Sequence, residues 1–237
     1  MLSIQRKKQL QQLLHKLNLP LENNLELINQ ALTHPSYIYE GLGSEEHNQR
    51  LEFLGDAVVG LVVAQHLFHQ YPQKSEGELT KMRAAIVCEA SLAEGAQALE
   101  LGRYLQMGRG EENMGGANRS SNLADCFEAL IGALYLTIDL ETCTSIIIKI
   151  LHKRITDAAQ GKFDDFKTQL QEYVQRKPDQ ALTYSIIHEE GPDHNKTFQA
   201  AVYLNQREIA TGLGRTKKEA EQQAAKHALD ILGVNVR

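Results

Sequence analysis

No run of eighteen apolar residues interrupts this sequence, and its polar start, MLSIQRKKQLQQLL, lacks the apolar stretch and small-residue cleavage site of a secretory signal. A soluble intracellular protein is therefore expected. The three cysteines, Cys88, Cys126 and Cys143, are an odd number with no CxxC spacing, which argues against a disulfide framework or a cysteine zinc site. They are read as reduced packing residues. Nine histidines show no HExxH spacing, and Gly108-Arg109-Gly110 is too short for a nucleotide-binding loop. An excess of positive charge is missing too: the formal charge is −5, with 15 Lys+Arg against 19 Asp+Glu before Asp164 and 10 against 11 from there on. A nucleic-acid site on such a chain must be a local patch or must use metal ions to offset carboxylates.

What is present divides at about residue 158. Before that point, apolar residues recur three and four apart and predict helices. One runs from near Ser44, a candidate cap ahead of Glu45 and Glu46, through LEFLGDAVVGLVVAQHLFHQY to Pro72. Ser75 and Glu78 have capping-box spacing ahead of a helix with Leu79, Met82, Ala85 and Ile86 on one side, and another helical segment reaches Leu99. The stretch 102–121 has five glycines and little periodicity, so it reads as an irregular loop. NLADCFEALIGALYL and LETCTSIIIKILHKRI then resume as helices. The polar AAQGKFDD follows as a candidate linker.

Beyond it the period changes. A helix around FKTQLQEYVQR precedes three short strand-forming segments, TYSIIHE, FQAAVYL and REIATGL, the second with Phe198, Ala200, Val202 and Leu204 on one face. The turns GPDHNK and NQ allow an antiparallel meander, and TKKEAEQQAAKHALDIL closes the chain as a helix, giving an α-β-β-β-α order and a two-layer α+β module.

The chemistry concentrates in two helical segments. Glu52 and Asp56 lie four apart and Asp125 and Glu128 three apart, so each pair shares one helix face inside an apolar run where charge is costly. If the two helices pack side by side, the four carboxylates converge on hard divalent cations that prefer oxygen ligands, with Mg²⁺ the natural candidate for phosphodiester hydrolysis. Spacing alone leaves the substrate open. In the C-terminal module, Thr216 and Glu219 have capping-box spacing, and Lys217 and Lys218 occupy the first helical turn beside free N–H groups, a site for phosphate.

RLEFLGDAVVG and LADCFEALIGALY strongly resemble the ribonuclease III family, supported by ALTHPSY, SEGELTKMRA and the glycine-rich loop, while TKKEAEQQAAKHAL resembles the double-stranded RNA-binding domain. The resemblance implies an all-α catalytic domain over residues 1–158, a linker at 159–163 and an α+β RNA-binding domain over 164–235. It implies an endoribonuclease that uses Mg²⁺, with Mn²⁺ as a substitute, and leaves staggered ends bearing 5′-phosphate and 3′-hydroxyl. By the same resemblance Glu52, Asp125 and Glu128 match metal ligands, Asp56 and Glu128 match catalytic residues, and Glu76 matches a further acid near the site. Thr168, Gln171, Glu172 and His194 match minor-groove contacts, with Lys217 and Lys218 on the intervening phosphates. Phe53, about 100° around the helix from Glu52, matches a homodimer contact that would bring two sites to opposite strands. Processing of ribosomal, messenger and transfer RNA precursors in the cytoplasm is the implied role.

Two other readings stay open: an inactive double-stranded RNA-binding protein on the same scaffold, and a magnesium phosphohydrolase acting on small molecules. The retained acids argue against the first and the RNA-binding module against the second. One position departs from the family pattern, because Gln49 stands before Arg50 where a glutamate is common. A neutral amide adds no charge to a metal site. Gln49→Ala is therefore expected to keep cleaving duplex RNA in a gel assay, and a loss as complete as that of Glu128→Ala would show the amide to be essential.

Overall fold

The computed structural model describes residues 2–20, 24–43, 46–161, 166–176, 180–191 and 196–234. Ser44 and Glu45, His194 and part of the expected linker lie outside them. The chain divides into two compact units, Met1–Ala159 and Gln160–Arg237.

The first unit is helical among its described residues. α1 (Ile4–Lys16), α2 (Leu25–Ala31) and α3 (Pro35–Tyr39) precede the long α4 (Gln49–Gln70); α5 (Glu76–Ile86), α6 (Glu89–Ala98), the short α7 (Arg109–Asn113), α8 (Ser120–Tyr135) and α9 (Leu140–Ala159) follow. The Ser75–Glu78 capping box forms in full at α5, whose Met82 and Ile86 are buried. α4 starts at Gln49 behind Asn48, which makes no side-chain cap bond. α4 is long and apolar enough to cross a membrane by length and composition. Here its buried side packs chiefly on α8, and the helix also carries Arg50, Glu52 and Asp56.

α8 is the centre of this unit. Eleven of its sixteen residues are buried, Phe127 and Leu130 completely, so only a narrow edge remains for polar groups. Arg6 of α1 ties the periphery to this core: its Nε donates to Asn29 Oδ1 (2.7 Å) and its Nη1 to the Tyr104 carbonyl (2.7 Å). Burial pulls its guanidinium down to about 10. Cys126 and Cys143 are buried free thiols, pushed by burial to about 12 and about 11, as suits packing residues; Cys88 is exposed.

The segment 102–121, expected as an irregular loop, instead holds α7, 3₁₀ turns at Leu101–Arg103 and Gly116–Asn118, and the start of α8. Helices of three to five residues are too short to show an apolar period, which is why the sequence hid them.

The second unit has α10 (Phe166–Gln175), an antiparallel sheet in the order β1 (Leu182–Glu190), β2 (Thr197–Leu204), β3 (Arg207–Gly214), and α11 (Lys217–Ile231). Asn205 and Gln206 both have positive φ (49° and 67°) and make the two-residue β2–β3 turn. That geometry matches the right-handed twist of the strands it joins. Ala200 and Val202 of β2 are buried against Leu170, Val174, Ala224 and Leu229, with Phe198 and Leu204 packed beside them. α11 lies very close to the sheet: a Cβ on Gly212 would collide with the Ala224 amide and one on Gly214 with that of Ala220. The expected capping box at Thr216 is incomplete. Thr216 accepts from Glu219 N (3.1 Å), but the Glu219 carboxylate reaches one residue further back and accepts from Arg215 N (2.8 Å).

α4 and α8 are similarly in backbone contact. A Cβ on Gly55 would collide with the Glu128 carbonyl, and one on Gly132 with the Leu51 carbonyl, whereas Gly60 of α4 has open space. Gly55→Ala should therefore cost about 2 kcal/mol or more through forced separation of the helices, a fall in Tm of roughly 5 °C. Gly60→Ala, the same change in the same helix, should leave Tm unchanged or raise it. Equal Tm values for the two variants in a thermal melt would contradict this packing.

Candidate active site

The glycine contacts between α4 and α8 set the distance at which their acids meet. Glu52 lies three residues before Gly55, and Glu128 supplies the carbonyl that Gly55 touches. As a result Glu52, Asp125 and Glu128, all half-buried, bring one carboxylate oxygen each to within 4.8 Å of the others. Among the described residues none of the three has a hydrogen-bond or ion-pair partner, so the charge is not offset by protein.

Their proton affinities reflect this. The Glu128 carboxyl is pushed up to about 7, first by burial and then by Asp56, Asp125 and Glu52. Burial raises Glu52 as well, with Asp125 and Asp56 adding to it. Asp125 is raised by burial and then by Glu89. Three mutually repelling carboxylates with oxygen donors facing one another fit a hard divalent cation, which would remove the repulsion and satisfy the donors together.

Asp56, one turn beyond Glu52, is exposed and outside the three-acid set, although its charge acts on Glu52 and Glu128. Glu76 stands in the first turn of α5, where its Oε1 accepts from the Thr80 hydroxyl (3.0 Å). It is not among the charges that raise the three carboxyls. Glu89, at the start of α6, is such a charge, and sequence reasoning missed it; only the packing of α6 on α8 brings it near Asp125, so no local pattern announces it. Gln49 is exposed at the first position of α4. Phe53 is 82% exposed, and Leu61 and Phe68 further along α4 are exposed too.

In the second unit, Gln171 and Glu172 are exposed on α10 and Thr168 is half-buried. Lys218 is exposed in the first turn of α11; beside it Lys217 Nζ lies 3.2 Å from Glu189 Oε1 and 5.6 Å from the centre of the Phe198 ring. Lys217 is thus held over the sheet by β1 and β2 while its side chain stays 61% exposed.

Residues 24–155 match the family model described as ribonuclease-III-like, and residues 166–232 match the double-stranded RNA binding motif. The chain belongs to the ribonuclease III family. The ribonuclease 3 of Desulforamulus reducens is 52% identical over 212 residues, covering 89% of this chain and 86% of that one. That of Moorella thermoacetica is 47% identical over 229 residues and covers 97% of each. Among solved structures, the nuclease domain of ribonuclease III from Campylobacter jejuni is 40% identical with a TM-score of 0.55, covering 60% of this chain and 95% of its own. That structure is described as showing flexibility in a region involved in dimer formation. The helical first unit is thus a ribonuclease III domain and the second a double-stranded RNA-binding module.

The raised Glu128 carboxyl has a consequence for stability. Its folded value, about 7, lies above the ordinary 4.5, so the folded state holds the proton more tightly. The associated stability is complete below pH about 4.5 and is lost as pH rises through 7. In EDTA, the Tm of wild type should therefore fall between pH 5 and 8 relative to Glu128→Gln, and added divalent cation should reverse the fall. Parallel pH profiles for the two proteins would show that the Glu128 carboxyl is not raised in the folded state.

Proposed function

We propose that this ribonuclease III hydrolyses phosphodiester bonds in both strands of double-stranded RNA at the cluster of Glu52, Asp125 and Glu128. The observation that carries the reading is three half-buried carboxylates within 4.8 Å and without a protein cation, on a chain that also holds a double-stranded RNA-binding module. Charge left uncompensated inside an apolar helix pair is costly, and a scaffold without chemistry would be more stable without it.

Divalent-metal dependence fits this donor set; Mg²⁺ is the cation we assign, with Mn²⁺ as a substitute. A bound cation supplies charge neutralisation for the scissile phosphate and a more acidic water. Glu52, Asp125 and Glu128 hold it. Asp56, exposed and one turn away, orients the attacking water and takes its proton, with Glu128 sharing the acid–base work, while Glu76 is a further acid at the margin. The water oxygen bonds to phosphorus, the bond to the 3′ oxygen breaks, and that oxygen takes up a proton. The products are 5′-phosphate and 3′-hydroxyl ends.

A homodimer formed over the exposed Phe53 row would supply two sites, one for each strand, and hence staggered cuts. In the RNA-binding module, assigned to 164–235 behind a catalytic domain at 1–158 and a linker at 159–163, Thr168, Gln171, Glu172 and His194 take successive minor grooves. Lys217 and Lys218 take the phosphates between. Recognition of A-form shape and 2′-hydroxyls gives little base specificity. Cytoplasmic processing of ribosomal, messenger and transfer RNA precursors is the role we assign to it.

The deciding experiment is cleavage of a long, perfectly paired RNA by wild type and Glu128→Ala, with Mg²⁺ or EDTA, beside a binding assay. Cleavage by wild type alone, only with metal, while both proteins bind, supports the reading. Binding by both with cleavage by neither would leave an RNA-binding protein on a degenerate nuclease scaffold.

A further inference from the structure

The last residues of β1 face the opposite way from what their alternation in sequence suggests. Leu182, Tyr184 and Ile186 pack on the helix side of the sheet while Thr183, Ser185 and Ile187 are exposed, a pattern that would next turn His188 inward and Glu189 outward. The pairing with β2 breaks it. Ile186 is opposite Ala200 but His188 is opposite Gln199, so Ile187 is an extra residue, a β-bulge. Beyond the bulge the faces are exchanged, and Glu189 pairs with Phe198, which packs on the helix side.

One carboxylate is thereby turned toward the start of α11. Glu189 Oε1 lies 3.2 Å from Lys217 Nζ, and Oε2 lies 3.9 Å from Nζ of Lys196, the residue before β2. The Phe198 ring lies under the same lysine, its centre 5.6 Å from Nζ. These contacts do little for stability. The Lys217, Glu189 and Lys196 side chains are 61%, 40% and 36% exposed, and ion pairs so open to water are screened. What the bulge does is aim an acid at a lysine that has been assigned to RNA.

A duplex phosphate that reaches Lys217 meets a carboxylate already at the ammonium. Both groups are oxyanions that accept from a lysine head in the same way, so one must give way to the other. Until it does, Glu189 cancels one of the two positive charges that Lys196 and Lys217 bring to this edge. We infer that Glu189 is an affinity-limiting residue for double-stranded RNA: an internal counter-ion, turned to the helix side by the β1 bulge, that competes with the RNA backbone for Lys217. It restrains the part of binding that comes from charge alone and leaves minor-groove contacts untouched. Such restraint suits an enzyme that must release the duplex it has cut. This rests on the reading above that places Lys217 on RNA phosphate, and adds to that face an acid that favours the unbound state.

The test measures binding of a short duplex RNA to the full chain in EDTA, which prevents cleavage, over a range of KCl concentrations. Glu189→Gln keeps the shape and removes the charge. At about 0.1 M salt it should bind roughly threefold to fivefold more tightly, the effect of one charge a few ångströms away in water. The slope of log affinity against log salt should steepen by about 1. Glu208→Gln removes the same charge on β3; its partner Tyr203 is five residues along β2 from Phe198, about 17 Å away. That distance exceeds the screening length of about 10 Å, so this variant should match wild type. With Lys217→Met already present, Glu189→Gln should bring no gain. Wild-type or weaker binding by Glu189→Gln would overturn the inference, as would a gain that Glu208→Gln shares or that survives in Lys217→Met. Wild-type affinity in Lys217→Met would instead remove that lysine from the phosphate contacts, and the inference with it. Wild type that binds no duplex would sink the RNA-binding reading itself, an outcome distinct from the failure of Glu189 alone.

Discussion

Where α4 and α8 touch, backbone meets backbone, and the absence of two side chains permits it. Gly55 faces the Glu128 carbonyl and Gly132 faces the Leu51 carbonyl, so neither helix can retreat without opening a gap at the centre of the first unit. The core is organised around this contact: α8 is buried along most of its length, and α6 and α9 pack on it. Because the separation is set by backbone, the acids one turn away inherit it. The site is close-set for a packing reason before any chemical one.

Close approach also creates the electrostatic cost. Glu52, Asp125 and Glu128 lack protein partners among the described residues, and burial, with the neighbouring carboxylates adding to it, raises the Glu128 carboxyl to about 7. Folding energy from the apolar sides of α4 and α8 holds together charges that would otherwise separate. Such a cluster binds a hard cation readily, because the repulsion that opposes folding is relieved on binding. A stabilising ion pair in the same place would have used up the oxygen donors that a cation needs.

The second unit meets the same problem of close approach with the same device. Gly212 and Gly214 on β3 let the backbone of α11 lie against the sheet, and Ala220, Ala224 and Ala228 keep the helix side small. Its net charge is close to neutral, and Lys217 is held by Glu189 and Phe198 rather than left loose. A lysine whose stem is already ordered loses less conformational freedom when it meets a phosphate.

Much of this was legible in the residues themselves. Apolar periods three and four apart marked α4, α5, α8 and α9, alternation marked β2, and the Ser75–Glu78 spacing marked a helix start, because each is a local signal whose physics is complete within a turn or two. The i,i+4 and i,i+3 acids could be read for the same reason, and family resemblance supplied their chemistry. Tertiary structure decided the rest. Glu89 acts on Asp125 only through the packing of α6 on α8, and Glu76 stands outside the three-acid set. The helices of the glycine-rich segment are too short for a period, and Glu111 reaches Asn122 across a turn that no spacing rule describes. A chain shows its local periodicities directly, but which acids meet depends on how closely two backbones can pack, and that distance exists only once the core is formed.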